Sequence, residues 1–310
     1  MTDFGSLITA MITPFQGVNS PDYCEHNSPV DYEATEKLVK HLIETGTESI
    51  VVAGTTGESS TLTHDEERKV FKLVKETAKA ANPNVKIILG TGSNSTETVI
   101  ASNKQAEALG ADGVLIVVPY YNKPSAKGLK IHFDRIAKNT SLPIILYNIP
   151  GRTGIDMDLE TTVYIVKNNP NIVGLKEASN NIDRISELRT KFDSKRFKIY
   201  SGDDSLTLPM MAAGANGVIS VASHVAGKEM SEMISSFRSG NIERATEIHV
   251  KLFPLFKELF KEPNPTCVKA ALNLIQICSP ILREPLVQLT EDQTRELKHV
   301  LDATILKAVS

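Results

Sequence analysis

Lys176 closes the apolar run NIVGLK (171–176), and it is the residue with the most chemistry to offer. An amine kept from water holds its proton weakly, because burial penalises the ammonium form. Its pKa falls from about 10.4 toward roughly 7–8, and the free amine can attack a ketone and form an imine. The plainer alternative is an ion pair with the adjoining Glu177. Tyr147 lies at the end of another apolar run, PIILYN (143–148), where a phenol either shuttles protons for such an amine or serves as a rim aromatic. Thr55 and Thr56 follow a glycine in GTTG, a donor-rich turn able to hold a small carboxylate, or simply a tight loop. Arg152, in PGRTG (150–154), carries the fork that binds carboxylates in a bidentate way, or is a surface arginine on a glycine-rich turn.

These groups share one trait: each stands at or just past the end of a short apolar, β-branched run. The runs are LITAMI (7–12), SIVVAG (49–54), KIILG (86–90), GVLIVV (113–118), PIILYN (143–148), NIVGLK (171–176), FKIYSG (197–202) and GVISV (217–221). Nearly continuous apolar character fits strands covered on both faces, as in a parallel sheet. Helical signals fill the gaps between them. Leu38, Val39, Leu42 and Ile43 form one stripe, with Gly46 following as a C-cap, and Thr63 with Glu66 reads as a capping box. Asn94 with Glu97 gives a further start signal, and Asp203 or Asp204 an N-cap after the seventh run, in preference to a metal-binding pair. Eight strand and helix units without a linker predict an α/β fold, a closed (β/α)8 TIM barrel. The barrel's strands and helices occupy residues 1–224, and residues 225–310 form its last helix and a C-terminal helical appendage, with 240–308 helical throughout and Pro265 near one helix start. In a barrel of this kind catalytic groups come from the C-terminal ends of the strands, which is where these residues fall.

Composition narrows the functional class. The chain has 310 residues, 41% hydrophobic and 23% charged, and a formal charge of −3, which argues against a nucleic-acid partner. Cys24, Cys267 and Cys278 form no CxxC pair and read as reduced thiols, the last two in helix packing, so a cytoplasmic location is expected. No apolar run reaches the ~18 residues of a membrane span. The seven histidines lack metal-site spacing, and no complete phosphate or dinucleotide fingerprint is present, so neither metal nor cofactor is expected. Residues 16–30 form a polar loop after the first strand.

Six segments occur together in a characteristic order: AGTTGES (53–59), VPYYNKPS (118–125), YNIPGRTG (147–154), GLKEAS (174–179), SGDD (201–204) and GVISVASH (217–224). In these the sequence resembles the dihydrodipicolinate synthase family, within the pyruvate-dependent N-acetylneuraminate lyase superfamily, over about residues 5–305. The resemblance implies Schiff-base condensation of pyruvate with L-aspartate 4-semialdehyde in diaminopimelate and lysine biosynthesis. It implies that Lys176 carries the imine, that Thr55, Tyr147 and Tyr121 relay protons, and that Tyr121 reaches in from a neighbouring subunit. Thr56 would bind the pyruvate carboxylate, Arg152 that of the semialdehyde, and Gly202 and Ile219 would contact substrate through their main chain. A homotetramer, as a dimer of dimers, is the implied assembly.

The family's allosteric lysine site maps to Ser60, His64, Glu67, Asn94, Thr98 and Tyr120. Feedback-sensitive members often carry histidine in place of Glu67 and glutamate in place of Thr98, so the site is expected to be non-functional here. The loop at 16–30 is longer than the family's usual connection. Two rival readings remain: a pyruvate-dependent lyase or aldolase for N-acetylneuraminate or a sugar acid, and a non-catalytic paralogue acting as a binding protein. Arg152 disfavours the first, because a neutral sugar chain needs no guanidinium, and the presence of Lys176, Tyr147 and Thr55 disfavours the second.

Overall fold

All eight apolar runs form strands in the computed structural model, which describes residues 3–17 and 28–305. They are β1 (Leu7–Ala10), β2 (Ser49–Val52), β3 (Lys86–Gly90), β4 (Gly113–Val117), β5 (Ile144–Asn148), β6 (Ile172–Glu177), β7 (Lys198–Ser201) and β8 (Gly217–Ser220). The strands follow one another in sequence order around a closed barrel, so the predicted (β/α)8 architecture holds. Side chains along β1, β2, β5, β6 and β8 are buried at every position, which explains why these runs are apolar on both faces.

The chain divides into two compact units, Met1–Ile8 with Lys86–Ser220 and Thr9–Val85 with Val221–Ser310. In the first, β3 to β8 pair parallel through the helices Thr96–Ala108, Ala126–Ala137, Leu159–Asn168, Asp183–Arg189 and Thr207–Ala212. Helix Ala126–Ala137 shows how they pack. Ser125 caps its N-terminus by accepting from the Gly128 amide, and Leu129, Phe133 and Ile136 at helical spacing form its buried stripe.

The second unit holds the helices Tyr32–Glu44, His64–Ala81, Ser223–Arg238, Ile242–Glu258, Thr266–Leu274 and Glu291–Thr304. The capping box of Thr63 and Glu66 is present, and Gly46 takes the left-handed φ of 102° expected just past a helix end. His224 is fully buried here, with Nε2 accepting from the Ile12 amide at 3.1 Å. Burial pushes its pKa down to about 4, so it stays neutral and structural.

Three expectations need correction. Ser95, not Asn94, caps helix Thr96–Ala108, because its hydroxyl is the group that accepts from the Thr98 amide. The region after residue 240 is not helical throughout: residues 275–290 are irregular, and Arg283 within them spends its guanidinium on the Ser28 and Thr61 carbonyls and on Glu66. Cys267 lies in a helix, whereas Cys278 lies beyond its end; both are buried and free. Most of the polar loop, residues 18–27 with Cys24, lies outside the described residues, and its flanks meet where Phe15 and Val30 form an antiparallel bridge. Among the described residues no helix is long and apolar enough to cross a membrane.

Candidate active site

The register of β5 and β6 sets Tyr147 beside Lys176 and Asn148 beside Glu177. Side chains alternate along a strand, so the first pair projects to one face and the second to the other. On the first face the Lys176 amine sits over the Tyr147 ring, 4.5 Å from its centroid, and makes no hydrogen bond or ion pair among the described residues. On the opposite face Glu177 is wholly buried, accepting from Asn148 Nδ2 at 3.0 Å and from the Ser179 amide at 2.8 Å, with Arg184 3.6 Å away. Glu177 is therefore committed elsewhere, which removes the plain ion-pair account of Lys176.

Burial is the main force on the amine and lowers the pKa of Lys176 to about 8. The negative charge of Asp204 opposes that shift, and the positive charge of Arg152 adds to it. The drop from 10.5 corresponds to about 3 kcal/mol in favour of the neutral amine. Burial also raises the Tyr147 phenol to about 12, with Arg152 pulling the other way, so this group stays protonated across the physiological range. Gly202 completes the surroundings: a Cβ there would lie 2.7 Å from Ala178 Cβ and 3.2 Å from Lys176 Cε. Only glycine leaves room beside the lysine chain.

Arg152 is exposed on the short helical turn Pro150–Thr153, which Gly154 ends with a left-handed φ of 77°. Tyr121 is 88% exposed, with a left-handed φ of 72° that a bulky residue rarely adopts. Ile219 is buried in β8. Asn94, whose carbonyl accepts from Asn122 Nδ2, belongs to this first unit with the exposed Thr98 and Tyr120.

Thr55 and Thr56 belong to the second unit. The turn after β2 is tight: Gly57 N donates to the Gly54 carbonyl and Glu58 N to that of Thr55. Ala53 and Glu58 flank it with left-handed φ values of 53° and 52°. Non-glycine residues hold such conformations only when their surroundings enforce them. The enforcement here is visible. Glu58 is buried against Lys269 at 2.5 Å and accepts from the Arg283 amide, while Thr13 Oγ1 donates to the Gly57 carbonyl. Thr55 is exposed, whereas Thr56 is buried and its hydroxyl accepts from Asn264 Nδ2 at 2.9 Å. Ser60, His64 and Glu67 follow; His64 Nδ1 lies 3.4 Å from Glu67, whose pKa burial raises.

Sequence reading missed four contributors. Asp204 was weighed as a cap or half of a metal pair, yet Asp203 is the cap, accepting from the Ser205 amide, and Asp204 is buried with its charge acting on Lys176. Asn264, Lys269 and Arg283, which hold the Thr55–Glu58 turn, went unnoticed. A signal existed for Lys269: it interrupts the apolar helix TCVKAALNL (266–274), where a lone charge requires a partner.

The model of the dihydrodipicolinate synthetase family matches residues 3–304. Over 296 residues, 96% of both chains, the sequence is 50% identical to 4-hydroxy-tetrahydrodipicolinate synthase 1 of Halalkalibacterium halodurans. The fold superposes on dihydrodipicolinate synthase of Cyanidioschyzon merolae, solved with lysine bound, at a TM-score of 0.90 and 44% identity over 97% of this chain and 98% of that one. It is also similar, at a TM-score of 0.89 and 39% identity over 97% and 99%, to the chloride-inhibited enzyme of Acinetobacter baumannii complexed with pyruvate.

Proposed function

This chain belongs to the dihydrodipicolinate synthetase family and is a lyase with 4-hydroxy-tetrahydrodipicolinate synthase activity in lysine and diaminopimelate biosynthesis, and from that premise we propose that Lys176 forms the covalent imine. Its neutral amine attacks the keto carbon of pyruvate; the carbinolamine loses water, and the iminium loses a methyl proton to become an enamine. The enamine carbon attacks the aldehyde of L-aspartate 4-semialdehyde. The substrate's own amine then displaces Lys176 from the imine carbon, closing the ring and freeing the enzyme. The lysine nitrogen acts as electron sink, so the cycle requires no cofactor and no metal.

The Tyr147 phenol, protonated up to about pH 12, donates and recovers the protons of these steps, with Thr55 and the partner-supplied hydroxyl of Tyr121 completing the relay. Thr56 holds the pyruvate carboxylate, Gly202 and Ile219 contribute main-chain contacts, and Arg152 takes the carboxylate of the semialdehyde. A relay completed across an interface needs more than one copy, and the proposal includes a homotetramer, a dimer of dimers, working in the cytoplasm.

One observation carries the reading: a buried lysine with its pKa lowered to about 8 and no carboxylate paired to it, set over a tyrosine ring. The pyruvate complex of the similar Acinetobacter enzyme supports the choice of first substrate. Borohydride added with pyruvate is expected to fix a reduced adduct, seen by intact mass spectrometry, and Lys176→Ala to abolish it. An adduct that survives the substitution would exclude Lys176.

A further inference from the structure

Arg152 stands on a segment, residues 149–157, that leaves the end of β5 and is fastened again at its far side. The fastening is dense. Asn148 Nδ2 donates to Asp156 Oδ1 at 2.7 Å, and Asn148 Oδ1 accepts from the Met157 amide at 3.1 Å. Arg184, its side chain 8% exposed, donates from Nη1 to Asp156 Oδ1 at 2.7 Å and from Nη2 to Asp156 Oδ2 at 2.6 Å, a two-pronged clamp. The same Nη1 donates to the Met157 carbonyl at 2.8 Å. Within the segment the Thr153 hydroxyl bonds the Ile149 and Ile155 carbonyls. The turn is internally tied and hangs from one base, so its orientation depends on that base.

We propose that Asp156 and Arg184 are positioning residues whose clamp aims the Arg152 guanidinium, and that they thereby set the enzyme's affinity for the second, carboxylate-bearing aldehyde and not for pyruvate. The inference rests on the assignment of Arg152 above. The clamp closes only one end of a segment whose other end is β5 itself, so loosening it frees the turn while β5 and β6 keep their pairing. Displacing a binding group by about an ångström weakens its contact while the amine stays in place.

Covalent catalysis in two stages separates the effects. kcat/KM for pyruvate reports steps through imine formation, and kcat/KM for the semialdehyde reports those after it. Asp156 is half-exposed, and Asp156→Asn keeps an acceptor for Asn148 while removing the charge from the clamp. The expected result is a roughly tenfold fall in kcat/KM for L-aspartate 4-semialdehyde, mainly through KM, with that for pyruvate and the borohydride-trapped yield within about twofold of the parent. Arg184→Lys should retain more semialdehyde affinity than Arg184→Gln, because it keeps one charge without the fork. Pyruvate and semialdehyde constants that fall together, or neither changing, would overturn the proposal. Arg152→Ala tells the two failures apart: if it raises the semialdehyde KM while Asp156→Asn does not, the clamp idea fails and the assignment of Arg152 stands. If Arg152→Ala leaves that KM unchanged, both fall.

Discussion

Among the described residues each compact unit buries one lysine near its own strand ends, and the two lysines have opposite surroundings. Lys269 meets Glu58 at 2.5 Å, donates to the Ile281 carbonyl at 2.8 Å and lies over the Phe15 ring at 4.0 Å. Lys176 lies over the face of Tyr147 and feels the charge of Asp204, with which it forms no ion pair. Burial lowers both pKa values, but at Lys269 the Glu58 carboxylate opposes that shift and ties the amine into a buried ion pair. At Lys176 no such partner is in contact, and in the proposed mechanism the cost of desolvation becomes nucleophilicity. Burial alone therefore does not mark a reactive amine; the missing hydrogen-bonded counter-charge does.

The sharpest way to break this contrast is to delete each amine. Lys176→Ala should cost roughly 10⁴-fold or more in turnover, as loss of a covalent nucleophile does, with folding preserved by circular dichroism. Lys269→Met leaves the Glu58 carboxylate buried without its partner and should cost about 3–5 kcal/mol in denaturant unfolding. If Lys269→Met instead abolished trapping of pyruvate in a protein of unchanged stability, the division of labour would be wrong. Tyr147→Phe keeps the ring under the amine and removes only the relay proton, so kcat should fall by about 10²-fold with the trapped adduct still forming.

A smaller effect concerns pH. The free amine is the attacking form, so kcat/KM for pyruvate should rise with pH and level off above about 8. Asp204 raises the Lys176 pKa, so Asp204→Asn should move that limb to lower pH, and a move upward would refute the assigned sign. The smallest expected response is to L-lysine. On the mapping that the family resemblance implies, Glu67 and Thr98 stand where feedback-sensitive members often carry histidine and glutamate, so inhibition at sub-millimolar effector should be weak or absent in a titration.

The strands were legible because burial on both faces writes itself as uninterrupted apolar sequence, and Lys176 stood out by ending such a run. Tyr147 and Arg152 were singled out by type and place, and the structure sets Tyr147 beside Lys176 and Arg152 on the turn after β5. What stayed hidden depends on partners far along the chain. Glu58 and Lys269 are 211 positions apart by number, and no local pattern joins them. Asp204 escaped for a different reason: two adjacent aspartates look alike in sequence, and only the backbone turn decides which caps a helix and which is buried.

The paired register of β5 and β6 has a last consequence, for how this sequence can change over time. Tyr147 with Lys176 and Asn148 with Glu177 occupy alternate faces of the same two strands. Substitution on one face leaves the other intact, so, on the roles proposed above, aldehyde preference can drift through Asp156, Arg184 and Arg152 while the imine lysine is kept. A one-residue insertion or deletion before Lys176 in β6 is another matter, because it would exchange amine and carboxylate between the two faces. The register thus constrains the length of β6 up to Lys176 more tightly than its composition.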